Sequence, residues 1–362
     1  MIYLRLAIDG VPVANAPERT RRVYFAGAGL SCALGLPNTA ELIDGVFRLA
    51  EAHDAWGVTQ GLPDRLRKAF AFLYPDGHYA DYRPDVVDFF SALSTYVDIG
   101  EGLAGTGLQG ARDLYEQLQF AIGHLLVEKT REVDEHLEAG HRYLDEMVKP
   151  GNIIITSNWD CVIERYAQLK QVPLRHSGYD ERDCVLLKLH GSIDWLQIRD
   201  RPRHRNNVPR YTDGEYCVIG ERLFGDRPYT KPLPRDPSEL IRVRAIENIN
   251  TAWRQIKSRS DRPYMITMGT GKGSRLGQLE PVWTDAYNAL SRAKELELVG
   301  YSMPTDDIEI RTLLRAGLQR GAPSNASSDV TVRNPSPDVH HRIRTLLDRE
   351  IKSDYRPVDG LR

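Results

Sequence analysis

The stretch from Arg22 to Ser31 reads Arg-Val-Tyr-Phe-Ala-Gly-Ala-Gly-Leu-Ser, and it decides the fold. Its apolar first half predicts a buried β-strand, and Gly27 and Gly29 then permit a tight turn into a helix. Such a turn lets backbone N–H groups approach a diphosphate. The dehydrogenase fingerprint needs a third glycine at position 32, where this chain has Cys32. The turn therefore predicts a nucleotide site of another kind, with a tight turn that binds no ligand as the alternative. The candidate ligand contacts are Gly27, Ala28, Gly29 and Ser31, where Ser31 could donate to a phosphate or simply cap the helix.

Further apolar runs occur at 152–156, 185–189, 264–268, 296–299 and 330–332. Helical patterns over 283–296 and 308–318 separate the last three runs. Strands that alternate with helices predict an α/β fold, here a Rossmann-like, doubly wound parallel sheet. The Arg- and Pro-rich stretch 199–235 is expected to be irregular, and the tail after Ser353 to be poorly ordered.

The segment 38–149 contains no convincing strand. Leu114, Leu118 and Ile122 recur at helical spacing, and Pro37 is expected to break the helix that follows the glycine turn. We therefore predict a helical module at 38–149, inserted into a Rossmann-like domain made of 1–37 and 150–362.

Bulk composition narrows the class of protein. Among 362 residues, 41% are hydrophobic and 27% charged, as in ordinary globular proteins, and no run approaches the length of a membrane helix. The N-terminus lacks a secretory signal and the four cysteines are scattered, so we expect a cytoplasmic protein without a zinc site or disulfides. The net charge of −2 argues against a nucleic-acid-binding protein. The arginines at 199–210 are interpreted as part of a solvated loop, with a nucleic-acid contact as the less favoured alternative.

Polar turns follow the apolar runs, at the sheet edge where α/β proteins bind ligands. Asn158, in Thr156-Ser157-Asn158-Trp159-Asp160, is expected to hold a ribose hydroxyl and orient a water, and Asp160 to anchor the ribose or steady Asn158. The alternative is that Ser157 or Asn158 caps a helix over 160–166. His190 suits a general base, with a structural histidine as its alternative.

The turn Gly300-Tyr301-Ser302 is expected to approach an adenosine ribose, and Asn334 to read adenine. Asp306 or Asp307 is expected to cap the next helix. The remaining histidines that we considered are read as surface or loop residues: His176, His204, His340 and His341.

Together these motifs resemble the sirtuin superfamily. The loop Gly27-Ala28-Gly29-Leu30-Ser31 with Gly35-Leu36-Pro37, the turn from Thr156 to Asp160, and His190-Gly191 come in the family's order. The resemblance implies an NAD⁺ site with Leu36, Pro37, Thr156 and Ser157 among its contacts. Sirtuin deacylases carry Asp-Phe-Arg after this proline and a four-cysteine zinc ribbon, whereas this chain has Asn38-Thr39-Ala40 and no cysteine pair.

The combination of Lys188-Leu189-His190-Gly191-Ser192 with Gly300-Tyr301-Ser302-Met303-Pro304 looks more like the sirtuin-like domains of bacterial antiviral defence. That resemblance implies an NAD⁺ hydrolase that uses NAD⁺ as its substrate without a metal and depletes it when activated. It also implies a homo-oligomer or a partner such as a HerA-type ATPase or a short Argonaute. The alternatives are an NAD-dependent deacylase or ADP-ribosyltransferase, and a non-catalytic NAD or ADP-ribose sensor that assembles a partner. Nucleic-acid cleavage ranks lower because no carboxylate cluster suggests a metal site.

Overall fold

The structure is a computed structural model. It describes residues 22–52, 60–76, 83–98, 100, 110–176, 178–198, 215–218, 262–265, 279–320 and 329–358. Side chains at 194, 196–198, 215–218, 262–264 and 320 are outside this description.

Ten strands occur in these parts of the chain. They are β1 (Arg22–Ala26), β2 (Ile153–Thr156), β3 (Leu174–Arg175), β4 (Cys184–Lys188), β5 (Gly191–Ile198), β6 (Glu215–Val218), β7 (Arg262–Met265), β8 (Glu295–Val299), β9 (Asp329–Arg333) and β10 (Lys352–Asp354). Seven form one sheet in the order β10-β9-β8-β1-β2-β4-β3, and all its neighbouring strands pair in parallel. The predicted Rossmann-like α/β class is confirmed, and β1 lies at the centre of the sheet.

The place of the run at 264–268 in the alternating pattern predicted that it would join the parallel sheet. It does not. Its described part belongs to β7, which pairs antiparallel with β5 in a small second sheet of order β6-β5-β7. A short apolar run identifies a strand but does not specify its sheet, which explains the error. The stretch expected to be irregular also contains a strand, β6, while the rest of 199–235 lies outside the described residues.

Helices surround the parallel sheet. They are α1 (Ala28–Ala33), α2 (Leu42–Ala52), α3 (Leu62–Leu73), α4 (Val86–Asp98), α5 (Ala111–Glu132), α6 (Asp134–Ala139), α7 (Arg142–Met147), α8 (Val162–Leu169), α9 (Glu280–Arg292), α10 (Ile308–Arg320) and α11 (Pro337–Leu347). A break follows α1 near Pro37, and Asn38 then caps a short 3-10 turn at Thr39–Glu41. None of the helices described is long and apolar enough to cross a membrane.

Helices are the only regular secondary structure among the described residues between Thr39 and Met147. The longest, α5, is buried around its whole circumference from Gln117 to Val127. Its Gln119 side chain donates to the main-chain oxygen of Met265 at 2.7 Å, which binds α5 to β7. The division into an inserted module and a surrounding domain stays a prediction.

The two faces of the parallel sheet bury separate hydrophobic clusters, because alternate strand residues point to opposite sides. Tyr24 and Ile154 face the cluster that contains α2 to α8, and Phe25 and Ile155 face the cluster of α9, α10 and α11. The described residues after Ser353, which are 354–358, are ordered, contrary to expectation. Here β10 extends the sheet beside β9, and Val358 is buried.

Candidate functional site

The glycine turn after β1 packs directly on the turn after β8. The amide of Gly27 donates to Val299 O at 2.9 Å, and the amide of Gly29 donates to Gly300 O at 2.8 Å. A Cβ atom on Gly27 would lie 2.5 Å from Tyr301 Cα, and one on Gly29 would lie 2.7 Å from Gly300 O. Both glycines are therefore required by a backbone contact, and these two N–H groups are already used within the protein.

Asn158, beyond the end of β2, is fixed by hydrogen bonds to the same turn. Its Nδ2 donates to Gly27 O and to Ser31 Oγ, each at 3.1 Å. A main-chain oxygen only accepts, so the atom beside Gly27 O must be the amide nitrogen. Both Nδ2 hydrogens are thereby directed at the protein. The group that Asn158 can offer to a ligand is its Oδ1, a hydrogen-bond acceptor on a side chain of 9% exposure.

Ser31 links Asn158 to Asp160. Its hydroxyl donates to Asp160 Oδ2 at 2.7 Å while accepting from Asn158 Nδ2. The other carboxylate oxygen, Oδ1, accepts from the first amide of α8, Val162 N, at 3.1 Å. The Ser31 hydroxyl is therefore used within the protein, and Asp160 steadies Asn158 through Ser31. A ligand contact for Ser31 stays a prediction.

The alternative that Ser157 or Asn158 caps the helix after β2 is not what the structure shows. That helix begins at Val162, and the side chain that receives its first amide belongs to Asp160. Asn158 is bound to the glycine turn instead. Its own amide donates to Thr156 Oγ1 at 3.0 Å, and Thr156 Oγ1 donates to Ala26 O at 2.8 Å. Asn158, Thr156 and Ala26 are thus linked by hydrogen bonds where β1 and β2 end.

His190 follows β4, the strand next to β2. Thr156 pairs in register with Lys188, so Asn158 and His190 each lie two residues beyond a paired position on neighbouring parallel strands. His190 is 3% exposed. The chain after it stays close to the Asn158 turn, since Ile193 N donates to Trp159 O at 3.0 Å. The amide and the imidazole therefore emerge at the same edge of the sheet.

Two histidines read as surface or loop residues are buried. The ring of His176 lies 3.1 Å from Leu186 O through Nδ1, and that of His340 lies 2.7 Å from Asn334 O through Nε2. Each is held by a strand or strand-end carbonyl that no local pattern reveals. His341 is exposed as expected, and His204 is outside the described residues.

The turn after β8 contributes backbone more than side chains. Gly300 adopts a left-handed φ of 59°. Tyr301 packs on Phe25 with ring centroids 4.8 Å apart, and its hydroxyl donates to Asp307 Oδ2 at 3.1 Å. Burial is the main reason that the pKa of Tyr301 is raised. This side chain therefore lies in the hydrophobic core.

The other predicted contacts occupy varied positions. Ser302 is exposed, and its carbonyl accepts from Arg342 at 2.8 Å. Asn334, beyond β9, is nearly buried and uses its Oδ1 to accept from Ser336 N at 2.9 Å. Leu36 is buried, while Pro37 and Ser157 are partly exposed. A ligand role for these residues stays a prediction.

Sequence reasoning missed a buried ion pair behind the site. Lys188 and Glu164 are each 1% exposed, and Lys188 Nζ lies 2.6 Å from Glu164 Oε1. The same ammonium donates to Asp160 O at 2.5 Å. The sequence feature that could have revealed the pair is a lysine at the end of an otherwise apolar strand. A charged side chain is rarely buried without an oppositely charged partner or a functional role.

The residues described contain no group of three or more His, Cys, Asp or Glu side chains that is arranged as a metal site. The contacts above join three strand ends through named polar atoms. They define a Rossmann-like α/β protein whose candidate site lies at the carboxyl ends of β1, β2 and β4, where such sheets bind ligands.

No protein-family model and no curated protein sequence matches this chain. Among solved structures, it is similar to Sir2Tm bound to a propionylated peptide and to a histidine mutant of Sir2 with a p53 peptide and NAD. Each is 14% identical, with 94% of this chain and 90% of that chain covered and a TM-score of 0.32. At that TM-score the fold assignment depends on the observed strand order alone.

Proposed function

We propose that this protein is an NAD⁺ glycohydrolase, which cleaves NAD⁺ to nicotinamide and ADP-ribose. The observation that carries the proposal is the fixed orientation of Asn158. Gly27 O and Ser31 Oγ take its two N–H groups, so its Oδ1 accepts from a ribose hydroxyl or a water. The sirtuin-like order of the sequence motifs supports NAD⁺ as the molecule that supplies the ribose.

The reaction requires little machinery. The bond between nicotinamide and the ribose carbon breaks through an oxocarbenium-like state, and nicotinamide leaves as a neutral molecule. A water then adds to the ribose carbon and gives up a proton. In the proposal Asn158 orients that water or the ribose, His190 takes the proton, and Asp160 holds Asn158 through Ser31.

The dinucleotide would run along the strand ends. In this assignment Gly27, Ala28 and Gly29 line its diphosphate, and Gly300, Ser302 and Asn334 line the adenosine half. Because the amides of Gly27 and Gly29 donate to β8 and to the turn after it, these glycines would act by admitting the ligand closely rather than by donating to it.

The sequence resemblance favours a defence role for this activity. We propose that the enzyme depletes NAD⁺ when it assembles with itself or with a partner, a HerA-type ATPase or a short Argonaute being the candidates. A cytoplasmic location fits a substrate that is a soluble dinucleotide.

The test is incubation of the purified protein with NAD⁺, with separation of nicotinamide, ADP-ribose and cyclic ADP-ribose by chromatography. Asn158→Ala and His190→Ala should each lower turnover by at least about 100-fold. Asn152→Ala is the matched control for the first, since Asn152 donates to carbonyls at the opposite end of β2. His341→Ala, an exposed position, is the control for the second.

Three results would contradict the proposal. Full turnover by both site variants would exclude the assigned residues. Nicotinamide release that requires an acylated peptide or another acceptor would identify a deacylase or an ADP-ribosyltransferase. NAD⁺ binding without any product over hours, with the candidate partners present, would identify a sensor.

A further inference from the structure

We infer that Lys188, with Glu164 as its counter-ion, is a positioning residue that holds the turn bearing Asn158 and Asp160. The catalytic part of this inference rests on the proposed NAD⁺ hydrolase function. Lys188 ends β4 two residues before His190, and its ammonium reaches back across the sheet edge to the turn after β2. One strand end would therefore carry the imidazole and also fix the amide.

The ammonium of Lys188 is directed at the turn after β2 and not only at the carboxylate of Glu164. Lys188 Nζ lies 2.5 Å from Asp160 O, 2.6 Å from Glu164 Oε1 and 3.5 Å from Trp159 O. An ammonium has three N–H donors, and two of these neighbours are main-chain oxygens of the turn itself. The bond to Asp160 O is charge-assisted, which makes it stronger than a bond between neutral groups.

This contact continues to Asn158 through two residues already described. Lys188 holds the main-chain oxygen of Asp160, while Ser31 and Val162 N hold the two oxygens of the Asp160 side chain. Ser31 in turn accepts from Asn158 Nδ2. A shift of Asp160 would therefore move Ser31 and with it the carboxamide that faces the ligand.

A purely stabilising pair is the competing explanation, and the energetics distinguish the two. Removing both charges of a buried pair in favour of apolar side chains is often neutral or stabilising, whereas removing one leaves an uncompensated charge. Lys188 and Glu164 are both almost fully buried. We therefore expect Lys188 and Glu164 to add little net stability. The geometry that the pair imposes on the turn is the better explanation for its presence.

The test compares the wild-type protein with the double variant Lys188→Met/Glu164→Leu, which removes both charges at similar volume. Two quantities are measured: NAD⁺ turnover, and amide hydrogen exchange in peptides that cover 157–162. We expect exchange there to rise at least threefold and kcat to fall by about 10- to 100-fold, because misplacement of a positioned group by about 1 Å is costly. The KM should change by less than about threefold, since the variant leaves the groups assigned to binding in place.

The matched control is Arg175→Met/Asp183→Leu. Asp183 is fully buried and pairs with Arg175 at 2.9 Å near the start of β4, at the opposite edge of the sheet. Exchange over 157–162 and turnover should stay within about twofold of wild type in this control. If the first double variant fails to fold, Lys188→Met/Glu164→Gln replaces it; it also removes both charges and should raise exchange over the same peptides, because the bond to Asp160 O is lost.

Exchange and turnover at wild-type values in the double variant would overturn the inference, as would wild-type exchange in Lys188→Met/Glu164→Gln. A wild-type protein that releases no nicotinamide would refute the proposed function alone, because the exchange measurement still shows whether Lys188 holds the turn. A control that loosens 157–162 equally would reveal general destabilisation and would also overturn the inference.

Discussion

The carboxamide nitrogen of Asn158 lies 3.1 Å from the main-chain oxygen of Gly27, so a side chain beyond β2 is oriented by the turn after β1. Since Nδ2 also donates to Ser31 Oγ, the orientation of the amide is determined by two acceptors. The position of the proposed catalytic oxygen therefore depends on the glycine turn even where that turn touches no ligand.

Asn158→Asp should abolish this arrangement at almost unchanged volume. A carboxylate oxygen would face Gly27 O, and the new negative charge would lie near Asp160, which shares Ser31 with it. We expect turnover to fall at least about 100-fold and stability by about 1–3 kcal/mol. Asn152→Asp breaks the same type of bond, to Glu146 O and Met147 O, and should lower stability while turnover is kept. Turnover kinetics and urea unfolding measure both, and equal losses of turnover would contradict the assignment.

Ser31→Ala tests whether the hydroxyl serves the amide. The change removes both the acceptor of Asn158 and the donor to Asp160, so kcat should fall by about 10- to 100-fold with little change in KM. Ser291→Ala, which removes a hydroxyl bonded to Asn288 O in α9, is the control and should leave kcat unchanged. A rise in KM at constant kcat would instead indicate that Ser31 binds the phosphate directly.

Gly300→Ala should destabilise the protein much more than Gly61→Ala. Both residues have left-handed φ, 59° and 66°, so both substitutions carry the same backbone strain. A Cβ on Gly300 would lie 2.4 Å from Leu30 N, whereas one on Gly61 has nothing within 4 Å. We expect a loss of about 1 kcal/mol at Gly61 and of about 2–4 kcal/mol at Gly300, where overpacking adds to the strain. Urea unfolding gives both values, and equal losses would show that the two turns separate at little cost.

Cys32 should be a slow thiol despite its partial exposure. Burial, with the Asp160 and Glu41 carboxylates, raises its pKa to about 11. At pH 8 only about 0.1% would be thiolate, against about 10% for a thiol of pKa 9, so alkylation should be about 100-fold slower. Because the folded pKa is the higher one, this thiol favours the native state below about pH 9, and the effect is lost towards pH 11.

Mass spectrometry of Cys32 peptides after iodoacetamide treatment, at a series of pH values, measures this directly. The alkylation rate should still be rising with pH above 9. A rate that levels off near pH 8 would show that the thiol is not perturbed.

Sequence patterns predicted the parallel strands and the edge where the site lies, for a physical reason. Buried strands such as β1 and β2 are largely apolar, and the carboxyl ends of parallel strands meet at one edge. Asn158 and His190 could therefore be placed together before any coordinates. The sequence pattern predicted only that Asn158 and His190 are near one another, and not which of their atoms face a ligand.

The hydrogen-bond partners could not be predicted. Ser31 and Asp160 are 129 residues apart, and their contact depends on how α1 and the turn after β2 approach each other. The sequence motif left Ser31 either a phosphate contact or a helix cap, while the fold directs its hydroxyl to a carboxylate. In the same way, the pairing of β7 with β5 depends on long-range register and not on local composition.

The buried circumference of α5 restricts how this protein could associate. From Leu118 to Val127 the helix has no face turned to solvent, and Gln119 is already bonded to Met265 O. A second subunit or another protein would have to dock on other elements. Substitutions within 118–127 that abolish assembly would therefore report misfolding of the protomer, and surveys for an oligomer interface are better directed to the exposed sides of α3 and α4, where Phe72 contacts Tyr96.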